Sequence, residues 1–227
     1  MMRHRYRDRQ EAGQALAADV KHALAQEASG QITEGRPLVL ALPRGGLPVA
    51  AEVAEELGAE LDVLVVRKVG VPAHPELAMG ALALLADTVE VVRNDTVLAQ
   101  LPGADEPGGA FDTVATTERQ ELLRREETYR SGRPPVDLIG RAVVIVDDGL
   151  ATGSTMKAAL IAARRFSPGR LLAAIPVGAR QTCTELQELA DDVVCTWATD
   201  DLGSVGSAYE KFTQTTNEEV REILDAH

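Results

Sequence analysis

Aromatic side chains are scarce in this chain of 227 residues, where they make up 3% of the total. A hydrophobic core must therefore be built mainly from alanine, valine, leucine and isoleucine. Charged residues make up 26% of the sequence, which is ordinary for a globular protein and excludes a disordered or fibrous chain. A chain of this length buries about 70% of the surface that its unfolded form exposes, which is enough for a domain with its own core.

Cysteine is also rare. The sequence contains Cys183 and Cys195, and neither belongs to a CxxC motif or to a cluster with histidine. This pattern excludes a cysteine-based zinc site and a disulfide framework. We expect both thiols to stay reduced and apart from each other, which fits a cytoplasmic protein.

Positive charge and long apolar runs are in short supply as well. Acidic residues outnumber basic ones by 35 to 23, so the net charge is −12, and an average field of that sign repels nucleic acid. No apolar run approaches the roughly 18 residues that span a bilayer, and the basic first residues are not followed by the apolar stretch of a secretory signal. We therefore expect neither a nucleic-acid partner nor a membrane partner.

Short apolar runs alternate with segments of helical periodicity along most of the chain. The runs predict buried strands at residues 37–42, 61–66, 142–146, 171–177 and 193–197. Helices are predicted at residues 8–28, 47–57, 112–130, 154–165, 180–190 and 218–226. Residues 67–80 contain several turn formers and predict a loop, which a hairpin at 81–92 follows. The pattern predicts an α/β fold, with a mostly parallel central sheet flanked by helices and ligands bound at the carboxyl ends of its strands.

The strongest motif is VVIVDDGLATGST, which covers residues 143–155. A buried strand ends in two acids, Asp147 and Asp148, and a turn rich in glycine and hydroxyl residues then opens into a helix. The backbone N–H groups of such a turn bind phosphate, whereas the two acids suit sugar hydroxyls or a divalent cation. The motif indicates a sugar-phosphate site, and the alternative is an ordinary strand–turn–helix with a helix cap. The further candidate binding residues are Gly149, Ala151, Thr152, Gly153, Ser154 and Thr155.

Two basic motifs follow the first two predicted strands. A PRGG turn covers residues 43–46, and two adjacent cations end the second strand. Arginine and glycine amides together bind diphosphate oxygens, although a plain turn and a solvated strand end are the alternatives. The candidate anion-binding residues are Arg44, Gly45, Gly46, Arg67 and Lys68.

The motif at residues 143–155 resembles the phosphoribosyl-diphosphate signature of type I phosphoribosyltransferases. The resemblance implies that Asp147 and Asp148 hold the ribose hydroxyls and meet Mg²⁺ mainly through the ligand, while residues 151–155 wrap the 5-phosphate. The segments YRDRQEAGQALA, ALPRGGLPVA, VVRKVGVPAHPELAMGA and FTQTTNEEV are similar to a group of bacterial stand-alone phosphoribosyltransferase-domain proteins that has no agreed acceptor.

The same resemblance assigns roles to the basic motifs. It implies that residues 43–46 form the diphosphate loop, with a non-proline cis peptide between Pro43 and Arg44. It also implies that Arg67 and Lys68 begin a mobile loop that closes over the site.

The implied activity is transfer of ribose 5-phosphate from 5-phosphoribosyl-1-diphosphate to a nitrogenous base or similar nucleophile, with Mg²⁺ as cofactor and release of diphosphate. The implied catalytic residues are Asp147, Asp148, Arg44 and Lys68. Ala151 stands where 6-oxopurine enzymes of the family have an aspartate, which argues against guanine and hypoxanthine as acceptors. Two alternatives stay open: a non-catalytic regulatory sensor of phosphoribosyl diphosphate, and a hydrolase that uses the same pocket.

The implied organisation is a single domain over residues 1–227, with its core at about 37–197. A small hood over the acceptor is expected from residues 1–28 and 198–227, and residues 202–212 should lie near the cleft. Trp197 either stacks on the base or caps the core, and His74 is either a proton-transfer group or an exposed loop residue. A homodimer is compatible with the family.

Overall fold

The computed structural model describes residues 5–26, 33, 35–85, 88–130 and 132–227. Its strands are β1 (Leu38–Ala41), β2 (Glu60–Val63), β3 (Val65–Val71), β4 (His74–Leu85), β5 (Thr88–Arg93), β6 (Ala142–Val146), β7 (Arg170–Ala179) and β8 (Asp192–Thr199). Its α-helices are α1 (Arg9–Ala25), α2 (Gly46–Leu57), α3 (Asp95–Leu98), α4 (Ala110–Arg130), α5 (Ser154–Arg164), α6 (Arg180–Leu186) and α7 (Asn217–Asp225), and Val205–Ala208 form a 3-10 helix.

The central sheet contains five parallel strands in the order β2-β1-β6-β7-β8. Strand β6 lies beside β1, with Leu38 opposite Val143, as expected if the two candidate phosphate-binding motifs face one ligand. Both strands are fully buried because helices cover the sheet on both sides. The predicted α/β architecture is confirmed.

Alternate side chains of the central strands belong to two separate hydrophobic cores. Val39 of β1 packs in one core with Leu16 of α1 and Leu47 of α2. Leu40, the next residue along the strand, packs in the other core with Leu160 of α5. This alternation follows from the two-residue period of a strand, and it holds the carboxyl ends of β1 and β6 between two helical layers.

The segment expected to form a loop at residues 67–80 is instead part of a second sheet, so that expectation was wrong. Strands β3, β4 and β5 form an antiparallel sheet of three strands. The predicted strand at 61–66 is divided, because the chain leaves β2 at Leu64 and enters β3 at Val65. A turn at Pro72 and Ala73 and irregular register between Val69 and Val71 accommodate the turn formers that had suggested a loop.

Most predicted helices are present with shifted ends. Helix α1 is capped by Asp8, which accepts a hydrogen bond from the Glu11 amide, and it ends at Ala25 rather than 28. Helix α6 ends at Leu186 rather than 190, and the short α3 was not predicted. Within the described part of the chain, no helix combines the length and the hydropathy needed to cross a membrane.

Candidate functional site

The loops after β1 and β6 are held against each other at the carboxyl edge of the sheet. The Leu42 amide donates to the Val146 carbonyl across 2.8 Å. A Cβ at position 45 would overlap the Asp148 carboxylate, and one at position 46 would lie 2.7 Å from the Val146 carbonyl oxygen. Glycine is therefore required at both positions, because the loops after β1 and β6 approach each other too closely for a side chain. The peptide between Pro43 and Arg44 is cis, as the resemblance implied.

The two acids after β6 are costly to ionise in the protein without a ligand. Burial raises the pKa of the Asp147 carboxyl well above its usual value, and the charge of Asp148 raises it further. Burial also raises the pKa of Asp148, although the nearby Arg9 opposes this effect. Perturbed carboxylates at a strand end are typical of functional sites.

The turn after the acids leads into the N-terminus of α5, and it is exposed at Ala151, Thr152 and Thr155. Gly153 has a φ of 69°, and a Cβ there would lie 2.5 Å from Cγ2 of Thr182. The Thr182 hydroxyl donates to the Ala151 carbonyl across 2.8 Å, which fixes the turn. The first N–H groups of a helix have no partner within the helix, so this exposed turn offers donors to a phosphate.

Arg9, on the first turn of α1, belongs to the site and was missed by sequence reasoning. Its Nε donates to Oδ2 of Asp148 across 2.8 Å, and the two side chains are 10% and 14% exposed. A terminal nitrogen donates to the Thr213 carbonyl across 2.7 Å, and the guanidinium carbon lies 4.0 Å from the centre of the Phe212 ring. Asp148 therefore has a partner in the protein without a ligand, and no motif around Arg9 indicated the contact.

The C-terminal segment reaches the acids, as expected for residues 202–212. The Tyr209 hydroxyl donates to the Asp148 carbonyl across 2.5 Å, and Val205 packs directly on Gly149. Tyr6 pairs with Tyr209 as an isolated parallel bridge, so segments from both parts of the proposed hood meet here. Trp197 packs in the hydrophobic cluster with these two tyrosines.

The adjacent cations of β3 lie on different sides of the strand. The Arg67 guanidinium pairs with Glu118 of α4 at 2.6 Å. Lys68 lines a cavity of about 450 Å³ together with Ser154 and Lys157 of α5. The structure thus brings Lys68 near Ser154, at the end of the candidate phosphate-binding turn, and it places Arg67 against α4 instead.

Arg44 lies in a different cavity, of about 490 Å³, with Asp148, Arg9 and Phe212. This cavity, which we call the arginine cavity, is also lined by Pro43, Gly45, Arg124, Arg125, Thr128, Tyr129, Gln214, Thr215 and Asn217. Of the four catalytic residues that the resemblance implies, Arg44 and Asp148 line this cavity, whereas Asp147 and Lys68 do not. His74 is exposed at the start of β4 and lines neither cavity.

Cys183 and Cys195 lie side by side, so the expectation that they stay apart was wrong. A Cβ at Gly178 would be 2.6 Å from Sγ of Cys183 and 3.2 Å from Sγ of Cys195. Their hydrogen bond lowers the pKa of the Cys183 thiol and raises that of Cys195. Both are free thiols, and we refer to them as the cysteine pair.

No group of three or more His, Cys, Asp or Glu side chains within the described ranges is arranged to hold a metal ion. Mg²⁺ is usually bound by one or two carboxylates together with substrate phosphates. Asp147 and Asp148, which are adjacent and beside the candidate phosphate-binding turn, fit that donor set.

The comparisons with known proteins agree with one another on a single family. A model of the phosphoribosyl transferase domain matches residues 7–209. Rv0571c of Mycobacterium tuberculosis, named as a phosphoribosyl transferase, is 43% identical over 96% of this chain and 46% of its own length, so the chain spans about half of that relative. The bifunctional protein PyrR of Deinococcus radiodurans is 36% identical over 28% of this chain and 34% of its own. The crystal structure of TT1426 from Thermus thermophilus matches with a TM-score of 0.82 and 39% identity, covering 97% of both chains.

Proposed function

The chain belongs to the phosphoribosyl transferase domain family, and on that premise we propose that it binds 5-phosphoribosyl-1-diphosphate with Mg²⁺ and transfers ribose 5-phosphate to a nitrogenous acceptor. The observation that supports this most strongly is the close packing of the PRGG loop on Asp148, beside the exposed turn that opens α5. One ligand with a phosphate, a sugar and a diphosphate would contact all three features.

In this proposal each part of the ligand has its own group of residues. The 5-phosphate accepts hydrogen bonds from the amides and hydroxyls of residues 151–155. The ribose hydroxyls donate to Asp147 and Asp148, which therefore bind in their ionised form. The diphosphate meets Arg44 and the Gly45 amide, whereas the Gly46 amide already donates to the Leu42 carbonyl across 3.1 Å. Mg²⁺, when it is bound with the ligand, neutralises part of the diphosphate charge.

Ribose binding requires Arg9 to release or share Oδ2 of Asp148. The ligand hydroxyls replace that hydrogen bond, and the Tyr209 hydroxyl keeps the Asp148 backbone in place. Because burial raises the pKa of both acids, ligand binding at low pH also has to remove protons. Binding should therefore weaken as the pH falls.

The reaction exchanges one bond at ribose C1 for another. The C1–O bond to diphosphate breaks and its electron pair leaves with the diphosphate, while a nitrogen of the acceptor forms the new bond to C1. Where that nitrogen carries a proton, the proton passes to the diphosphate or to solvent. The protein orients the sugar and stabilises the leaving group with Arg44 and Lys68. The antiparallel sheet β3–β5, where Lys68 lies, would exclude water from the reacting carbon when it closes.

Other features of the proposal follow from the family and the composition. We place the protein in the cytoplasm, with the acceptor under a hood that includes residues 202–212, and a homodimer is compatible with the family. Ala151 at the third position after the acids makes guanine and hypoxanthine poor acceptors by the base mechanism of 6-oxopurine enzymes.

Calorimetric titration with phosphoribosyl diphosphate in the presence of Mg²⁺ tests the proposal. We expect binding by the native protein and at least a tenfold loss in Asp148→Asn, because a charge-assisted hydrogen bond is removed. Asp200→Asn is the matched control, since Asp200 is exposed and pairs with Arg180. Absence of binding would overturn the proposal. Binding without diphosphate release from any nucleobase would favour the regulatory sensor instead.

A further inference from the structure

The arginine cavity concentrates positive charge in a chain whose net charge is −12. Four arginines line it, namely Arg9, Arg44, Arg124 and Arg125, and among its described lining residues Asp148 is the one acid. A cavity of this composition selects for anions.

Part of this charge is balanced by neighbouring carboxylates. Arg9 pairs with Asp148, and Arg124 and Arg125 both bind Glu121, each through its Nε at 2.7 Å. These hydrogen bonds lower the pKa of Glu121 to about 2, so this carboxylate stays ionised at neutral pH. Four guanidinium groups against two carboxylates leave two positive charges.

The two remaining charges lie in different parts of the cavity wall. One belongs to Arg44, in the PRGG loop, where the proposed function places the diphosphate. The other is shared by Arg124 and Arg125 on α4, which meet a single carboxylate. In the proposed complex Mg²⁺ and Arg44 together balance the charge of the diphosphate, so one positive charge on α4 remains, and a monoanion would match it.

The rest of the lining suits a flat molecule with polar edges. The Phe212 ring is 39% exposed and stacks on Tyr209 with ring centres 5.1 Å apart. Gln214 and Asn217 offer amide donors and acceptors in the same cavity. Arg9 and Tyr209 both lie against the Phe212 ring, so a planar heterocycle would contact the exposed ring edge and the amide groups. Arg124 uses Nε and one terminal nitrogen on Glu121, so a carboxylate would accept from the remaining terminal nitrogens of Arg124 and Arg125.

We propose that the acceptor is a planar aromatic or heteroaromatic monocarboxylate, whose carboxylate binds Arg124 and Arg125. This inference rests on the proposed phosphoribosyl transfer and specifies its second substrate. A neutral base would leave the second positive charge of the α4 arginines, which share Glu121, without a counterpart.

Matched acid and neutral compounds test the proposal directly. The probes are orotate against uracil, nicotinate against nicotinamide, and anthranilate against aniline, each added to the protein with phosphoribosyl diphosphate and Mg²⁺. Calorimetry measures binding, and diphosphate release measures transfer. We expect at least one acid to bind at least tenfold more tightly than its neutral partner.

The double variant Arg124→Gln/Arg125→Gln tests whether these two arginines bind the carboxylate of the acid probes. We expect it to weaken acid binding at least tenfold while the affinity for phosphoribosyl diphosphate changes less than twofold. Arg119→Gln is the control, because Arg119 is exposed on the same helix and does not line the cavity. Thermal unfolding of each variant checks that the fold is retained.

Three results would overturn the inference. These are equal binding of acid and neutral probes, no binding of any acid probe to the complex, and an equal loss of phosphoribosyl diphosphate and acid binding in the double variant. The last result would assign the α4 arginines to the diphosphate. Failure of phosphoribosyl diphosphate to bind the native protein is a separate outcome, because it removes the proposed function and this inference with it.

Discussion

Replacing Arg9 with methionine removes the positive charge beside Asp148 and keeps a side chain of similar length. The guanidinium loses its hydrogen bonds to Asp148 and to the Thr213 carbonyl, and its position over the Phe212 ring. Because the Arg9 and Asp148 side chains are 10% and 14% exposed, solvent screens their interaction only weakly.

Two estimates set a lower and an upper limit on the loss of folding stability in Arg9→Met. A hydrogen bond to a charged group contributes about 1.5–3 kcal/mol, and breaking a buried ion pair costs about 3–5 kcal/mol when the remaining partner stays charged. Asp148 already has a raised pKa, so it can take up a proton and limit the cost. We expect the free energy of unfolding to fall by about 2–3 kcal/mol at pH 7, which lowers the Tm of a chain of this size by about 4–12 °C.

Urea unfolding followed by circular dichroism measures this change. Arg7→Met is the matched control, since the Arg7–Asp8 pair is 58% and 33% exposed and should contribute less than about 1 kcal/mol. A double-mutant cycle with Asp148→Asn should give a coupling of about 1.5–3 kcal/mol. A coupling below about 0.5 kcal/mol would refute the assignment of Arg9 as the stabilising partner of Asp148.

Three further changes test the site. Asp147→Asn should raise the Tm at pH 7, because the pKa of Asp147 is raised in the folded state and the native protein loses stability as the pH rises from the unfolded to the folded pKa. The gain should vanish below about pH 4, where the carboxyl is protonated in both states. An equal gain at pH 3 would contradict this prediction. Gly45→Ala should lower the Tm and abolish phosphoribosyl-diphosphate binding, since its Cβ overlaps the Asp148 carboxylate; Gly203→Ala, which has open space around it, should change neither. Diamide should convert the cysteine pair into an intramolecular disulfide in the folded protein, and either serine variant should form none; two thiols that still titrate after treatment would contradict their close approach.

The central sheet was predictable because its strands are apolar on both sides. Residues 142–146 are a continuous apolar run, and they form β6 with the same bounds. Once β6 and β1 are known to be parallel neighbours, the acids and the PRGG turn that follow them must lie at the same edge of the sheet. The main features of the candidate site therefore follow from the order of residues around two strands.

The antiparallel sheet and the contacts of Arg9 could not be predicted in the same way. Gly70 and Gly80 are turn formers by local preference, but pairing with a neighbouring strand outweighs that preference in β3 and β4, whereas Pro72 does lie in the turn between the two strands. Arg9 and Asp148 are 139 residues apart, and no local pattern reports which arginine meets a buried acid. The cysteine pair was missed for the same reason, because Gly178 brings the two sulfur atoms together only in the folded chain.

The hydrogen bond from Tyr209 to the Asp148 carbonyl links residues 61 positions apart, which affects how the site forms during synthesis. At about 5–20 residues per second, a ribosome adds Tyr209 roughly 3–12 s after Asp148. Throughout that interval α1 and the acid-containing loop are already available, whereas the segment that covers them has not yet been made. A nascent chain stopped before residue 205 would thus contain both candidate phosphate-binding loops and lack the segment that packs on them. The proposed hood would therefore be completed late, at a time set by translation as well as by folding.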